Sequence, residues 1–308
     1  SQPKINNLFS IFLFASILLA SLMARKLLPK IHMSKDFKPE VKKHFSDRII
    51  YINIDGCRLD KFENSNLKTV KFFKENGAYF KKGATTIVRA LTNPAIASIL
   101  TGTHPKIHKI KNNNDTRELK IEAIPDIIPS ILYGNIHIKD LTRKSWVAKS
   151  FSLPKHGIKI DDLLLKTLKE DIKENKAKFY LADLSDVDIN GHAYGSYSKQ
   201  YIEALKRTDE RIMDLIKWLK ENNLLKSSIL LISSDHGQTM MEHAHLTTLS
   251  EKYVPLMFYG KNIRKIELNF IPSIIDLNVT ISFILGYKYT KFSKGRVLTE
   301  ILQTSKNL

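Results

Sequence analysis

The chain has 308 residues, 43% hydrophobic and 26% charged, a globular composition that excludes wholesale disorder and fibrous repeats. A single cysteine excludes a disulfide scaffold and any metal site built from cysteines alone. Lysine and arginine outnumber aspartate and glutamate by 49 to 31; the net charge of +18 favours anionic partners (substrate, lipid or nucleic acid) and says nothing about fold.

The segment from Leu8 to Met23 is uncharged and almost wholly apolar, with Lys4 before it and Arg25, Lys26 and Lys30 after it. It is short of the ~20 residues that span a bilayer and suits the core of a signal peptide. Leu22-Met23-Ala24 is a poor cleavage site. Residues 1–25 are therefore predicted to be an uncleaved membrane anchor in preference to a cleaved signal; the basic residues, denser after the segment than before it, leave its orientation open, and the catalytic domain is expected outside the cytoplasm. Residues 26–47 are polar and basic and read as a tether.

Arg48 to Asp55 is an apolar run ending in an acid, as a buried parallel strand does. Asn64 to Asn76 has helical spacing and stops at Gly77. Asn93-Pro94 marks the start of a helix running to Leu100. The stretch from Asn112 to Gly157 is polar and irregular and reads as an insertion or cap, within bounds of about 112–176; its Arg117, Arg143, Lys144 and Lys149 are candidate phosphate contacts, or simply solvated surface. Lys178 to Asp183 is a second strand, Tyr197 to Asn223 a long amphipathic helix, Ser228 to Ser234 and Val254 to Tyr259 two further buried strands, and Ser273 to Leu285 a helix closed by Gly286. Strands alternating with helices imply an α/β fold, with a mostly parallel central sheet and helices on both faces.

In such sheets ligands gather beyond the carboxyl ends of the strands, and the acids and histidines lie there. Asp55 ends the first strand, Asp188 and His192 follow the second, and Asp235-His236 closes the third, with His243 and His245 soon after. One such aspartate alone is ordinarily a helix cap. Several carboxylates and imidazoles at successive strand ends are what zinc and harder divalent cations require. Thr92, at a helix start, is ordinarily an N-cap; the same geometry also binds anions, and a threonine hydroxyl becomes a nucleophile when a base or metal activates it.

Asn53-Ile-Asp55-Gly-Cys-Arg58, Leu91-Thr-Asn-Pro94, Leu100-Thr-Gly-Thr-His-Pro-Lys-Ile-His108, Asp188-Ile-Asn-Gly-His192 and Ser234-Asp-His-Gly237, in this order and spacing, resemble the alkaline phosphatase superfamily, most closely its type I phosphodiesterase/nucleotide pyrophosphatase branch. The resemblance covers about Arg48 to Leu302 and makes residues 48–308 the catalytic domain. It implies two divalent metal ions, commonly zinc, with manganese possible. One would be held by Asp55, Asp235, His236 and the Thr92 oxygen, the other by Asp188, His192 and a later histidine. For that last ligand His245 is preferred to His243, because it stands nearer the Val254 strand. Asn113, in a run with Asn112 and Asn114, would donate to the phosphoryl oxygens together with the Asn93 backbone N–H.

The activity implied is cleavage of a phosphate ester, a phosphodiester foremost, through a phospho-threonine on Thr92. The substrate implied is a small phosphorylated or phospholipid-derived molecule. The sulfatase branch uses a modified Cys or Ser in a Cys/Ser-x-Pro-x-Arg context, which Thr92-Asn-Pro-Ala95 does not match. A phosphoethanolamine-type transferase would share the core and the anchor. A non-catalytic, basic, membrane-tethered binding protein would fit the charge but leave the ligand set unexplained; no aromatic-basic interleaving of a nucleic-acid binder is visible.

Overall fold

A computed structural model describes residues 16, 37–115, 117–151, 158–245 and 248–303. Residues 1–25, read as an anchor, lie outside these except for residue 16, as does most of the basic tether; among the described residues no helix is long and apolar enough to cross a membrane.

The strands are β1 (Arg48–Ile54), β2 (Ala78–Phe80), β3 (Ala84–Thr85), β4 (Ser130–Gly134), β5 (Val147–Ser150), β6 (Phe179–Leu184), β7 (Ser228–Ser233), β8 (Tyr253–Val254), β9 (Leu256–Gly260) and β10 (Ile266–Leu268). Eight of them form one sheet in the order β10-β2-β9-β7-β1-β6-β4-β5, and β3 pairs with β8. In the large sheet β9 runs antiparallel to β7 and β2; the other neighbours are parallel. The longer helices are α1 (Lys68–Asn76), α2 (Thr92–Thr101), α3 (Ile158–Lys173), α4 (Asp186–Tyr194), α5 (Lys199–Glu221) and α6 (Asp276–Leu285).

The central strands are apolar throughout because both faces are covered. In β1, Ile49 and Tyr51 join the core shared with α2 and α6, whereas Ile50, Ile52 and Ile54 join the core shared with α1, α3 and α5. This is the period-two alternation of a strand, with each side chain buried by a different helical layer. α5 is amphipathic, and Leu205, Ile212, Leu215, Ile216 and Leu219 form its buried stripe. Its start is capped by the Ser198 hydroxyl, which accepts from the Tyr201 N–H at 3.1 Å.

Two expectations are corrected. The polar stretch read as a cap contains β4 and β5, which extend the sheet outward from β6. β5 is an edge strand with Val147 and Ser150 exposed, so no continuous apolar run announces it. Arg117, Arg143 and Lys149 are paired with Asp115, Asp126 and Asp171. The run from Val254 to Tyr259 is divided at Pro255: β8 leaves to pair with β3, and β9 enters the main sheet antiparallel.

Candidate metal centre and active site

β7, β1 and β6 are adjacent, and the residues at their carboxyl ends meet. Asp55 follows β1, Asp235 and His236 follow β7, and Asp188 and His192 stand one turn apart on α4, just after β6. Gly56, at φ +67°, makes the convergence possible: a Cβ there would lie 2.5 Å from the Asp188 Oδ1. Gly237 plays a similar part behind His236, since its Cβ would meet the Ser250 carbonyl oxygen at 1.9 Å.

Three imidazoles are oriented in the same way. The Nδ1 of His236 lies 2.9 Å from the Gly237 carbonyl oxygen, that of His192 2.8 Å from the Met241 carbonyl, and that of His243 2.7 Å from the Ala90 carbonyl. A carbonyl only accepts, so each Nδ1 carries the proton and each Nε2 keeps a free lone pair. These lone pairs converge. His192 Nε2 and His243 Nε2 are 3.1 Å apart, and the His236 and His243 rings stack with centroids 4.1 Å apart. Burial holds His236 down at about 4, and burial together with the nearby His236 holds His243 at about 3.

The carboxylates are equally unsatisfied. His236 Nε2 is 3.4 Å from Asp55 Oδ1 and 3.4 Å from Asp235 Oδ2. His192 Nε2 is 3.5 Å from Asp188 Oδ2. Asp55 Oδ1, Asp188 Oδ1 and Asp235 Oδ2 are buried without a hydrogen-bond partner. Burial, then the neighbouring Asp235 and Asp188, push the Asp55 carboxyl well above the usual carboxylate range; burial raises Asp188 to about 7 and also raises Asp235. Orphaned acids facing bare imidazole nitrogens are costly unless a cation joins them. Two overlapping sets are close enough to hold one: Asp55, Asp188 and His236, and Asp188, His192 and His243, with ligand atoms in each set within 4.8 Å of one another. The donor types and their orphaned atoms fit divalent metal.

Thr92 is the first residue of α2, and its Oγ1 lies 3.1 Å from His236 Nε2. The Asn93 N–H, expected to face the substrate, instead donates to Asn113 Oδ1 at 3.0 Å, and the Asn93 side chain donates to the Asn113 carbonyl at 3.1 Å. Asn93 is thus a positioning residue that fixes which end of the Asn113 amide is free.

His245 is not brought into the cluster. Its Nδ1 and its backbone N–H are 2.7 and 2.8 Å from the carboxylate of the buried Glu251, so the preference for His245 gives way to His243. Glu251 went unnoticed in the sequence, as did the three carbonyls that orient the imidazoles; an acid in Ser250-Glu-Lys252 carries no motif. Cys57 is buried against the site, and burial pushes its thiol up, as befits a packed small residue.

The α/β fold with its large, mostly parallel central sheet matches that of alkaline phosphatase-like proteins. The profile described as type I phosphodiesterase/nucleotide pyrophosphatase matches residues 49–122 and 124–268, and the chain belongs to that family. The family is metal-dependent, and its enzymes are hydrolases of the phosphoester type. Human ectonucleotide pyrophosphatase/phosphodiesterase family member 1 is 34% identical over 101 residues, 33% of this chain and 10% of that protein. A phosphopentomutase from Clostridium kluyveri is 30% identical over 119 residues, 38% of this chain and 28% of the enzyme. The chain thus spans only a minor part of the length of these relatives. Among solved structures, murine ectonucleotide pyrophosphatase/phosphodiesterase 5 superposes with TM-score 0.65 at 12% identity, over 83% of this chain and 100% of that one. A 2-O GAG sulfatase gives 0.69 at 13%, over 84% and 74%. At such identities the likeness is one of fold.

Proposed function

We propose that the chain hydrolyses phosphodiesters with Thr92 as nucleophile at a two-metal centre. The observation that carries this reading is the Thr92 hydroxyl lying 3.1 Å from His236 Nε2, beside three buried carboxylates and three inward-facing imidazole lone pairs. Asp55, Asp235 and His236 would hold one ion next to Thr92, and Asp188, His192 and His243 the other. Bound there, two divalent cations, zinc foremost, supply positive charge against the phosphoryl oxygens and favour ionised over neutral hydroxyls.

The chain's residues do the rest. Thr92 Oγ1 gives up its proton to solvent water and attacks phosphorus, the bond to the leaving alcohol breaks with its electron pair on that oxygen, which takes a proton from water, and a phospho-threonine still esterified to the retained alcohol remains. Water then attacks the same phosphorus and returns Thr92 with release of the monoester. Asn113, with its Oδ1 taken by the Asn93 N–H, presents its Nδ2 to a phosphoryl oxygen where charge builds up. The dipole at the start of α2 favours the same charge. The murine family member 5 has also been solved as an inactive variant in complex with AMP, a ligand of the chemistry proposed here.

The test is Thr92→Ala, assayed with bis(4-nitrophenyl) phosphate and by elemental analysis. Turnover should fall at least a thousandfold while zinc stays near two per chain. Wild-type activity in the zinc-loaded variant would remove Thr92 from its role.

A further inference from the structure

Ten large hydrophobic side chains are well exposed among the described residues, and four of them line one cavity: Tyr194 at 58%, Tyr197 at 65%, Met240 at 69% and Met241 at 48%. Apolar exposure gathered at one place marks a binding surface more often than the same exposure scattered. The cavity measures about 510 Å³, with Glu242 and His245 among its polar lining.

It is built on the candidate centre. Tyr194 ends α4, two residues after His192. The methionines are presented by a tight turn closed by paired Thr239–Glu242 backbone hydrogen bonds of 2.8 and 3.0 Å. That turn is pinned twice: the Ser196 N–H donates to the Met240 carbonyl at 2.6 Å, and the Met241 carbonyl accepts from His192 Nδ1 at 2.8 Å. Both walls therefore stand on the residues that hold or orient His192. The Tyr197 ring is fixed as well, with Arg58 Nη2 3.1 Å from its hydroxyl and the guanidinium 4.4 Å from the ring centroid.

Thr92 belongs to the Asp55–His236 side of the cluster, and this cavity adjoins the Asp188–His192–His243 side. Displacement at phosphorus proceeds in line, so the group expelled leaves away from Thr92, toward the cavity. We propose that this cavity is the leaving-group subsite and that it takes a flat aromatic alcohol, lodged between the rings of Tyr194 and Tyr197 and the thioethers of Met240 and Met241; the proposal rests on the phosphodiesterase reading above. Two rigid aromatic side chains and two adaptable thioethers lining one cavity of about 510 Å³ suit a planar group better than a long chain.

The test compares wild type with Tyr194→Ala and Met240→Ala, both at exposed positions where folding is checked by an unchanged melting temperature. Three substrates share the retained methyl phosphate: 2-naphthyl methyl, n-decyl methyl and trifluoroethyl methyl phosphate. Binding of 2-naphthol to metal-free protein is followed by fluorescence. The preference in kcat/KM for the naphthyl over the trifluoroethyl ester should fall about tenfold in each variant, and naphthol binding should weaken by a similar factor. An unchanged preference, unchanged naphthol binding, or a decyl ester affected as much as the naphthyl ester would overturn the subsite. Naphthol binding with no turnover of any diester would instead overturn the phosphodiesterase reading and, with it, the leaving-group assignment.

Discussion

Single side chains in this centre are held by partners that carry no motif of their own. Glu251 is the plainest case: buried, it takes both the ring and the backbone N–H of His245, and so fixes the loop from which His243 turns inward. Glu251→Ala should weaken metal affinity about tenfold, as loss of an outer-shell partner commonly does, measured by chelator competition with zinc as the probe. His108 offers a pH-dependent test away from the ligands. Its Nδ1 accepts from the Ile110 N–H at 3.1 Å and its Nε2 donates to Ser98 Oγ at 3.0 Å, tying the loop of Asn113 to α2. Burial lowers its pKa from 6.5 to about 4. Between those values the unfolded chain binds a proton that the folded one refuses, so stability falls as pH drops from 6.5 to about 4 and the loss then levels off. His108→Gln should flatten that limb by up to about 3 kcal/mol, read from urea unfolding at successive pH values. The choice between His243 and His245 is not legible in the sequence: distance along the chain favours His245, whereas the outcome depends on which imidazole Glu251 captures.

At the level of elements, α4 carries two ligands and is anchored from outside itself. The buried Asp161 of α3 accepts from the Ser185 and Asp186 N–H groups at 2.9 and 3.1 Å, so it supplies the cap that the helix start lacks. Asp186 is held by Arg207 at 2.9 Å and Arg211 at 2.8 Å. Asp161→Ala leaves two buried N–H groups unpaired and should cost about 2 kcal/mol in urea unfolding, with a loss of metal affinity that Asp162→Ala, on the exposed side, should not share. The strands that end at the centre were legible because burial on two faces writes an apolar run into the sequence. The direction of β9 was not, since an antiparallel strand buried on both faces reads the same. β5 was hidden by its position at the edge, where polar and exposed residues are tolerated, and β4, buried between β6 and β5, by being a five-residue run within a polar stretch.

The chain carries +18 overall, yet the domain concentrates unsatisfied carboxylates at one end of its central strands. Cation binding should therefore be felt throughout. At a hundredfold excess over its dissociation constant a bound ion contributes about 2.7 kcal/mol, so treatment with a chelator should lower the melting temperature by about 5 °C or more, and zinc should restore it. A melting curve indifferent to both would speak against a metal centre. Asp188 stands in both clusters close enough to hold an ion, so although the proposed centre assigns it to the His192–His243 ion, the loading of two ions should be linked through it. An ion captured by either half pulls this shared carboxylate into its anionic form and alters the field met by the next arrival. A calorimetric titration of the stripped protein with zinc should accordingly fit two linked equilibria, and Asp188→Asn should abolish the linkage together with one full equivalent of uptake.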